Sequence, residues 1–191
     1  MTKIIAIVGM CGSGKSVLAD KLVEKGWGYV RFGQITLDIV KERGLPRNEA
    51  SEKLVREEVR REHGMDAYAK LNIPKFDEVL KTKNLVADNM ISWSEYKYLK
   101  NYYGDRLTIV AVFAPPELRY ERISSRVSDA SDTALRNRPF TKEDAKQRDY
   151  NEIEKVEKGG PIVMADYTVL NTGTKEEYLK QIEEIYIKIA K

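Results

Sequence analysis

Gly9-Met10-Cys11-Gly12-Ser13-Gly14-Lys15-Ser16 reads G-x-x-x-x-G-K-S, the spacing of a Walker A phosphate-binding loop. The apolar run Ile4-Ile5-Ala6-Ile7-Val8 precedes it and has the look of a buried strand. Val17-Leu18-Ala19-Asp20-Lys21-Leu22-Val23 follows, with apolar residues at helical spacing. Strand, loop and helix in that order are the context the motif requires. Gly9, Gly12 and Gly14 allow a tight backbone whose N–H groups can approach phosphate oxygens. The positive end of the new helix points at the same place. Lys15 supplies a point charge at the β- and γ-phosphates, and the Ser16 hydroxyl is a candidate Mg²⁺ ligand. The expected triphosphate-binding set is therefore Gly9, Cys11, Gly12, Ser13, Gly14, Lys15, Ser16 and Val17.

Working outward, strand and helix patterns alternate. Trp27 opens a short second strand at 27–32, and Gly33 starts a helix over 34–43 that Gly44 and Pro46 end. Asn48 is an N-cap for the next helix, which stops at Gly64 with His63 in its last turn. Shorter helical pieces are expected over 66–71 and 75–80, on either side of Pro74. Leu85-Val86-Ala87-Asp88 is a third strand ending in a carboxylate. Ser92 and Glu95 form a capping box for a helix through Tyr103. The almost wholly apolar segment 107–113 is a strand buried on both faces, broken by Pro115-Pro116. A helix over 117–126 follows, then a polar stretch over 127–140. Thr141 and Asp144 cap a further helix to about Lys158, interrupted by Gly159-Gly160-Pro161. Tyr167-Thr168-Val169-Leu170 is a fifth strand, and Thr174 and Glu177 box a last helix with Leu179, Ile182, Ile185 and Ile189 as its buried stripe. Such alternation predicts an α/β chain with a parallel sheet and helices on both faces. Ligands on such sheets bind beyond the carboxyl ends of the strands, where Gly9, Gly33, Asp88, Ala114 and Asn171 fall.

Composition narrows the function classes. The 191 residues are enough for one well-cored domain, 42% hydrophobic and 33% charged. A net charge of +3 is too mild to argue for nucleic acid. One cysteine, Cys11, excludes an internal disulfide and a cysteine zinc cluster, and one histidine leaves little scope for histidine ligation. Met1-Thr2-Lys3 runs straight into the first strand without a signal peptide, and no apolar stretch approaches membrane-spanning length. The expectation is a cytoplasmic protein, monomer or homodimer, with no membrane or nucleic-acid partner.

Four stretches together resemble the small P-loop kinases of the nucleoside monophosphate kinase and dephospho-CoA kinase group, with adenylate-kinase-related proteins as the closest likeness. They are the Walker A loop, Arg31-Phe32-Gly33-Gln34, the segment Phe113-Ala114-Pro115-Pro116-Glu117-Leu118-Arg119-Tyr120-Glu121-Arg122, and Ala165-Asp166-Tyr167-Thr168-Val169-Leu170-Asn171. The resemblance covers essentially the whole chain. It implies a three-layer α/β/α P-loop fold with a five-stranded parallel core over 1–32, 81–125 and 149–191. It also implies a helical acceptor-binding insertion over about 33–80 and an Arg-rich lid over about 126–148.

Within that frame ATP and Mg²⁺ are the implied cofactors and a small-molecule phosphoryl acceptor the implied partner. Arg119, Arg122, Arg126, Arg136, Arg138 and Arg148 cluster around the lid, where guanidinium groups can neutralise the transferring phosphoryl group while water is excluded. Arg126 and Arg138 join Lys15 and Asp88 as the expected catalytic set, with Arg148 on the nucleotide. Arg122 is expected to flank the adenine, and Asn171 to contact it through main chain. Asp88 either holds Mg²⁺ or accepts the acceptor hydroxyl's proton, and alternatively caps the turn after its strand. Gly33, Gln34, Arg60 and Asp88 border the expected acceptor pocket.

The chain departs from the family pattern at three places. Gln34 stands where related kinases carry an acidic residue, Leu37 where they carry an arginine, and Asp88-Asn89-Met90-Ile91 where they commonly read Asp-Gly-x-Arg. Arg31, Arg43, Arg56, Arg60 or Arg61 must then replace the missing acceptor arginines, or the acceptor is not an ordinary nucleoside monophosphate. A nucleotide acceptor, dephospho-CoA, and an ATP-hydrolysing switch with no small-molecule acceptor are the readings that follow.

Overall fold

The apolar run ahead of the glycine-rich loop forms β1 (Ile4–Val8), every residue of it buried. Four further strands complete a parallel sheet with it: β3 (Leu85–Asp88) and β4 (Leu107–Phe113) pair with β1, β2 (Gly28–Arg31) pairs with β3, and β5 (Tyr167–Leu170) pairs with β4. The computed structural model describes residues 1–127 and 140–190, and in it the strand order is β2-β3-β1-β4-β5. β1 therefore sits in the middle, buried on both faces, which is why it can be apolar throughout.

The period of two along β1 divides its side chains between two cores. Ile4, Ala6 and Val8 face a cluster with Phe32, Val40, Val55, Phe76 and Leu99. Ile5 and Ile7 face the opposite cluster, with Leu18, Leu22, Ile182 and Ile185. The first cluster draws on α2 (Gln34–Glu42), α3 (Glu49–His63), α4 (Ala67–Leu80) and α5 (Trp93–Tyr103). The second draws on α1 (Lys15–Glu24) and α9 (Lys175–Ala190). The result is a three-layer α/β/α sandwich, the fold expected from the alternation of patterns. Each fully buried isoleucine of β1 is worth about 2–3 kcal/mol of transfer free energy.

Local signals set most boundaries. Asn48 accepts from Ser51 N–H at 3.0 Å and starts α3. Ser92 and Glu95 form a complete capping box at α5. Thr174 and Glu177 exchange the same pair of bonds ahead of α9. One expectation fails at Pro74. Instead of two short pieces around it, α4 runs unbroken through it. Ala67, Tyr68, Ala69, Asn72, Phe76 and Leu80 are all buried along that helix, so burial on both sides of the proline outweighs the one backbone bond it removes.

The other α-helices among the described residues are α6 (Pro116–Ser124), α7 (Lys142–Val156) and α8 (Gly159–Val163), and a 3₁₀ turn, Gly104–Arg106, leads into β4. Part of the stretch expected as lid is thus the opening of α7, capped by Thr141. Glycine-proline chemistry after α7 does not merely interrupt a helix; it starts a separate short one. No helix among the described residues is long and apolar enough to cross a membrane.

Candidate functional site

β1 ends at Val8, and the loop that follows turns through Gly9 with φ of 141°. A side chain there would run into the Val112 carbonyl as well as straining the backbone. Gly14, at φ of 105°, is the N-cap of α1 and brings no capping side chain, and the first turn of α1 has no acidic residue. The helix therefore keeps its leading N–H groups for a ligand. The loop is held from behind by its carbonyls. Asn171 Nδ2 donates to Ser13 O at 2.8 Å, Tyr178 Oη to Gly14 O at 2.9 Å, and Arg119 Nη1 to Cys11 O at 3.0 Å. These braces fix the loop without spending its N–H groups.

Lys15 lies along this loop, its Nζ donating to Gly9 O at 2.9 Å and Met10 O at 3.0 Å. Burial, with repulsion from Lys158 next, lowers its pKa from 10.5 to about 8. It lines one cleft with Ser16, Asp88, Asn89 and Arg31. Strand register explains that meeting. Asp88 pairs with Ile7 on one side and Arg31 on the other, at the carboxyl ends of β1, β3 and β2. Asp88 is buried. Its Oδ2 accepts from Tyr29 Oη at 2.8 Å, while Oδ1 is buried without a hydrogen-bond partner among the described residues. A buried carboxylate oxygen left over beside the Ser16 hydroxyl fits a Mg²⁺ that keeps waters and phosphates as its remaining ligands. No cluster of three or more His, Cys, Asp or Glu that could hold a metal is present among the described residues.

The opposite wall is built from charged side chains. Arg126, Phe140, Arg148, Glu152 and Lys158 line the same cleft. Arg148 and Glu152 stand one turn apart on α7, with Nε to Oε1 at 3.0 Å. Lys158 Nζ meets the other oxygen of that carboxylate at 2.5 Å. Burial alone would raise the Glu152 pKa, but Lys158 and then Arg148 override it and hold the carboxyl well below the usual carboxylate range. Burial likewise opposes the charge on Arg148, and Glu152 more than restores it, leaving that pKa raised. In all, five cations face the cleft against two carboxylates, Asp88 and Glu152. That imbalance suits a polyanion.

The structure thus brings together Cys11, Gly12, Gly14, Lys15, Ser16, Asp88, Arg126 and Arg148 of the expected residues. Gly9 contributes a carbonyl to Lys15, Ser13 is buried within the loop, and Val17 packs against the core. Arg122 is taken up by Asn171, donating to its carbonyl at 3.0 Å, so both brace the loop's surroundings instead of lining the cleft. Arg119, expected among the charge-supplying arginines, is buried and satisfied by Ala114 O, Cys11 O and Asp149. Arg136 and Arg138 lie outside the described residues.

The acceptor-side expectations are dispersed. Gly33, Gln34 and Arg60 do not line the cleft. Gln34 bonds Asp38, and Arg60 lies over the Tyr68 ring at 5.1 Å. Of the substitute arginines considered, Arg31 reaches the cleft, whereas Arg43 is paired with Glu58 and Arg56 with Glu49. Asn89, Phe140, Glu152 and Lys158 were not anticipated. The Arg148–Glu152 spacing of four was a usable signal; Lys158 gave none, because it follows the helix and precedes two glycines.

A family profile described as "AAA domain" matches residues 5–157. The UPF0200 protein of Thermococcus onnurineus (strain NA1) is 34% identical over 188 residues, 97% of this chain and 97% of that one. A UPF0200/UPF0201 protein of Archaeoglobus fulgidus is 34% identical over 190 residues, 99% of this chain but 56% of its own length. Among solved structures, shikimate kinase from Bacteroides thetaiotaomicron superposes with a TM-score of 0.60 at 12% identity, covering 99% of both chains. A gluconokinase from Sinorhizobium meliloti 1021 gives 0.52 at 14% identity, covering 98% of this chain and 95% of that one. Likeness at such identities shows the fold, one shared with small-molecule kinases.

Proposed function

This chain is a P-loop protein of the UPF0200 family with an AAA-type domain, and from that premise we propose that it is an ATP- and Mg²⁺-dependent kinase of a small anionic acceptor, a nucleotide first among them. The observation that carries this is the composition of one cleft: P-loop groups and Asp88 on one wall, Arg126 and Arg148 on the other. Structural neighbours that include a shikimate kinase and a gluconokinase support the reaction class, and Arg31 beside Asp88 supports an acceptor that carries negative charge.

In this reading the loop amides and Lys15 hold the triphosphate, and Ser16 and Asp88 hold Mg²⁺. Mg²⁺ held by these two side chains would supply neutralisation of the charge that develops on the phosphates. Arg31 orients the acceptor. An acceptor oxygen, a phosphate oxygen for a nucleoside monophosphate or a hydroxyl for dephospho-CoA, attacks the γ-phosphorus in line as the bond to the bridging oxygen breaks, and ADP leaves. Where the attacking oxygen is a hydroxyl, its proton passes to water; Asp88 would take it only in place of holding Mg²⁺. Arg126 and Arg148 stabilise the transferring group from the far wall. Residues 33–80 serve as the acceptor side and residues 126–148 as the closing side.

The dispersal of Gly33, Gln34 and Arg60 favours a second reading, an ATP-hydrolysing switch without a small-molecule acceptor. ADP release from MgATP separates the two. It is measured alone and then with each nucleoside monophosphate, deoxynucleotide, dephospho-CoA, shikimate and gluconate, with Lys15→Ala as the control. One acceptor raising the rate by orders of magnitude and carrying the label establishes the kinase and its substrate. Slow Lys15-dependent hydrolysis indifferent to every acceptor establishes the switch.

A further inference from the structure

Among the described residues Lys158 is the one buried lysine, 1% exposed, and it lines the nucleotide cleft. Nothing in the local sequence requires a cation there. The chain goes out of its way to put one in place. α7 ends on Glu157 at φ of 54°, a left-handed position held by a non-glycine residue. That turn folds Lys158 back so that its own N–H donates to Glu152 O at 3.1 Å while its Nζ meets the Glu152 carboxylate. Beyond it, α8 seats on the Trp93 ring at Gly160, where a Cβ would come within 2.9 Å of the ring. Backbone strain of this kind persists where the surroundings enforce it, often at functional sites. The second non-glycine residue with positive φ among those described is Asn89, on the same cleft.

Charge arithmetic points the same way. Glu152 is shared between Lys158, which is buried, and Arg148, which is partly exposed, so the trio carries one positive charge in excess. A structural ion pair needs one cation per carboxylate; a second buried cation is costly without an anion. Lys15 adds a further cation in the same cleft, and Lys158 is its principal cationic neighbour. An ammonium has three donors, and Glu152 accounts for one of those on Lys158. Phosphate oxygens are the natural partners for the rest.

We propose that Lys158 is a second phosphate-binding lysine of this site, meeting the terminal phosphates of a nucleoside triphosphate opposite Lys15, with Glu152 as the positioning residue that holds it. The inference rests on the nucleotide-binding reading above and adds to it a residue from outside the loop and outside the arginine cluster. It also names what the site selects: the phosphates beyond the first.

Calorimetric titration with MgATP and with AMP tests it, using the wild type, Lys158→Met, and Lys158→Met/Glu152→Gln, each checked by thermal melting. Lys158→Met should weaken ATP by about tenfold or more while AMP changes less than about threefold, as befits loss of a charge-assisted contact to the terminal phosphates. The double variant removes the carboxylate that the single change leaves to Arg148 alone, and it decides the matter if Lys158→Met does not fold. Unchanged ATP affinity, or equal losses for ATP and AMP, would show Lys158 to be a structural strut and overturn the proposal. A wild type that binds no triphosphate would overturn the nucleotide reading itself, and this inference with it. That outcome is told apart because it appears before any Lys158 variant is compared.

Discussion

The two walls of the cleft are made by different means. The loop wall is backbone, shaped by glycines and tied back through its carbonyls to Asn171, Tyr178 and Arg119. The α7–α8 wall is side chain, and its order depends on one carboxylate, Glu152, shared by two cations. Backbone positioning distributes its stability over many bonds and keeps the ligand-facing groups unspent. Side-chain positioning concentrates it, so that removing one residue releases several. The loop wall should therefore lose function without losing stability, and the far wall should lose both.

The largest effect sharpens that contrast at its centre. Lys15→Met should lower ATP turnover on the order of a hundredfold to a thousandfold, the range seen when one pre-organised charge-stabilising donor is removed. Its melting temperature should hold or rise, because a lysine whose pKa is pushed down to about 8 by burial is destabilising while charged. A clear drop in melting temperature would mean that the Lys15 bonds to Gly9 and Met10 hold the loop together, and the contrast between the walls would fail.

Glu152→Gln tests the other wall. It leaves Arg148 and Lys158 without their common partner and should cost about 3 kcal/mol in urea unfolding. Asn171→Ala on the loop wall should cost about 1 kcal/mol, one hydrogen bond. The sign in acid follows from the depressed Glu152 pKa. Its contribution is present above the unfolded carboxylate value of 4.5 and is lost as pH falls below it. Wild-type stability should thus fall more steeply below pH 4.5 than that of Glu152→Gln. Parallel acid curves would remove Glu152 from its place as the keystone.

Between these in sharpness lies a pH effect on binding. Lys15 in the free site titrates near 8, and a bound triphosphate must raise that value by pairing with its charge. ATP affinity should be full below pH 8 and fall up to about tenfold per unit above it, with proton uptake on binding. Lys15→Met should flatten the curve. Since Lys158 is the cation that helps depress the Lys15 pKa, Lys158→Met should move the break to higher pH. An unmoved break would separate the two lysines electrostatically and with them the two walls.

The same division explains what could be read from the chain. The loop, β1 and α1 were legible because backbone positioning needs particular residues at fixed spacing, and the strand ends put Asp88 in the cleft for a reason of topology. Capping boxes at Ser92 and Thr174 were legible because both partners lie three residues apart. Pro74 misled because propensity is local and the burial that overrides it is not. Arg119, read as charge for the transferring group, and Arg122, read as flanking the adenine, donate to carbonyls in the structure, since a guanidinium serves either purpose and only the fold says which carbonyls lie within reach. Lys158 was illegible for a related reason: its position depends on a left-handed Glu157 and on Trp93, distant in sequence.

Tyr29→Phe is the finest of these tests, because it removes one oxygen and no charge. Tyr29 Oη donates to Asp88 Oδ2 and leaves Oδ1 without a hydrogen-bond partner among the described residues. Here a functional group on the loop side is held by a side chain and not by backbone. If that hold matters, the variant should need about threefold to tenfold more Mg²⁺ for half-maximal activity, near 1 kcal/mol, with kcat at saturating Mg²⁺ little changed. A shift in kcat without a shift in Mg²⁺ requirement would assign Asp88 to the acceptor's proton instead of the metal. No shift in either would mean that strand register alone orients the carboxylate, and the loop wall would be backbone-built throughout.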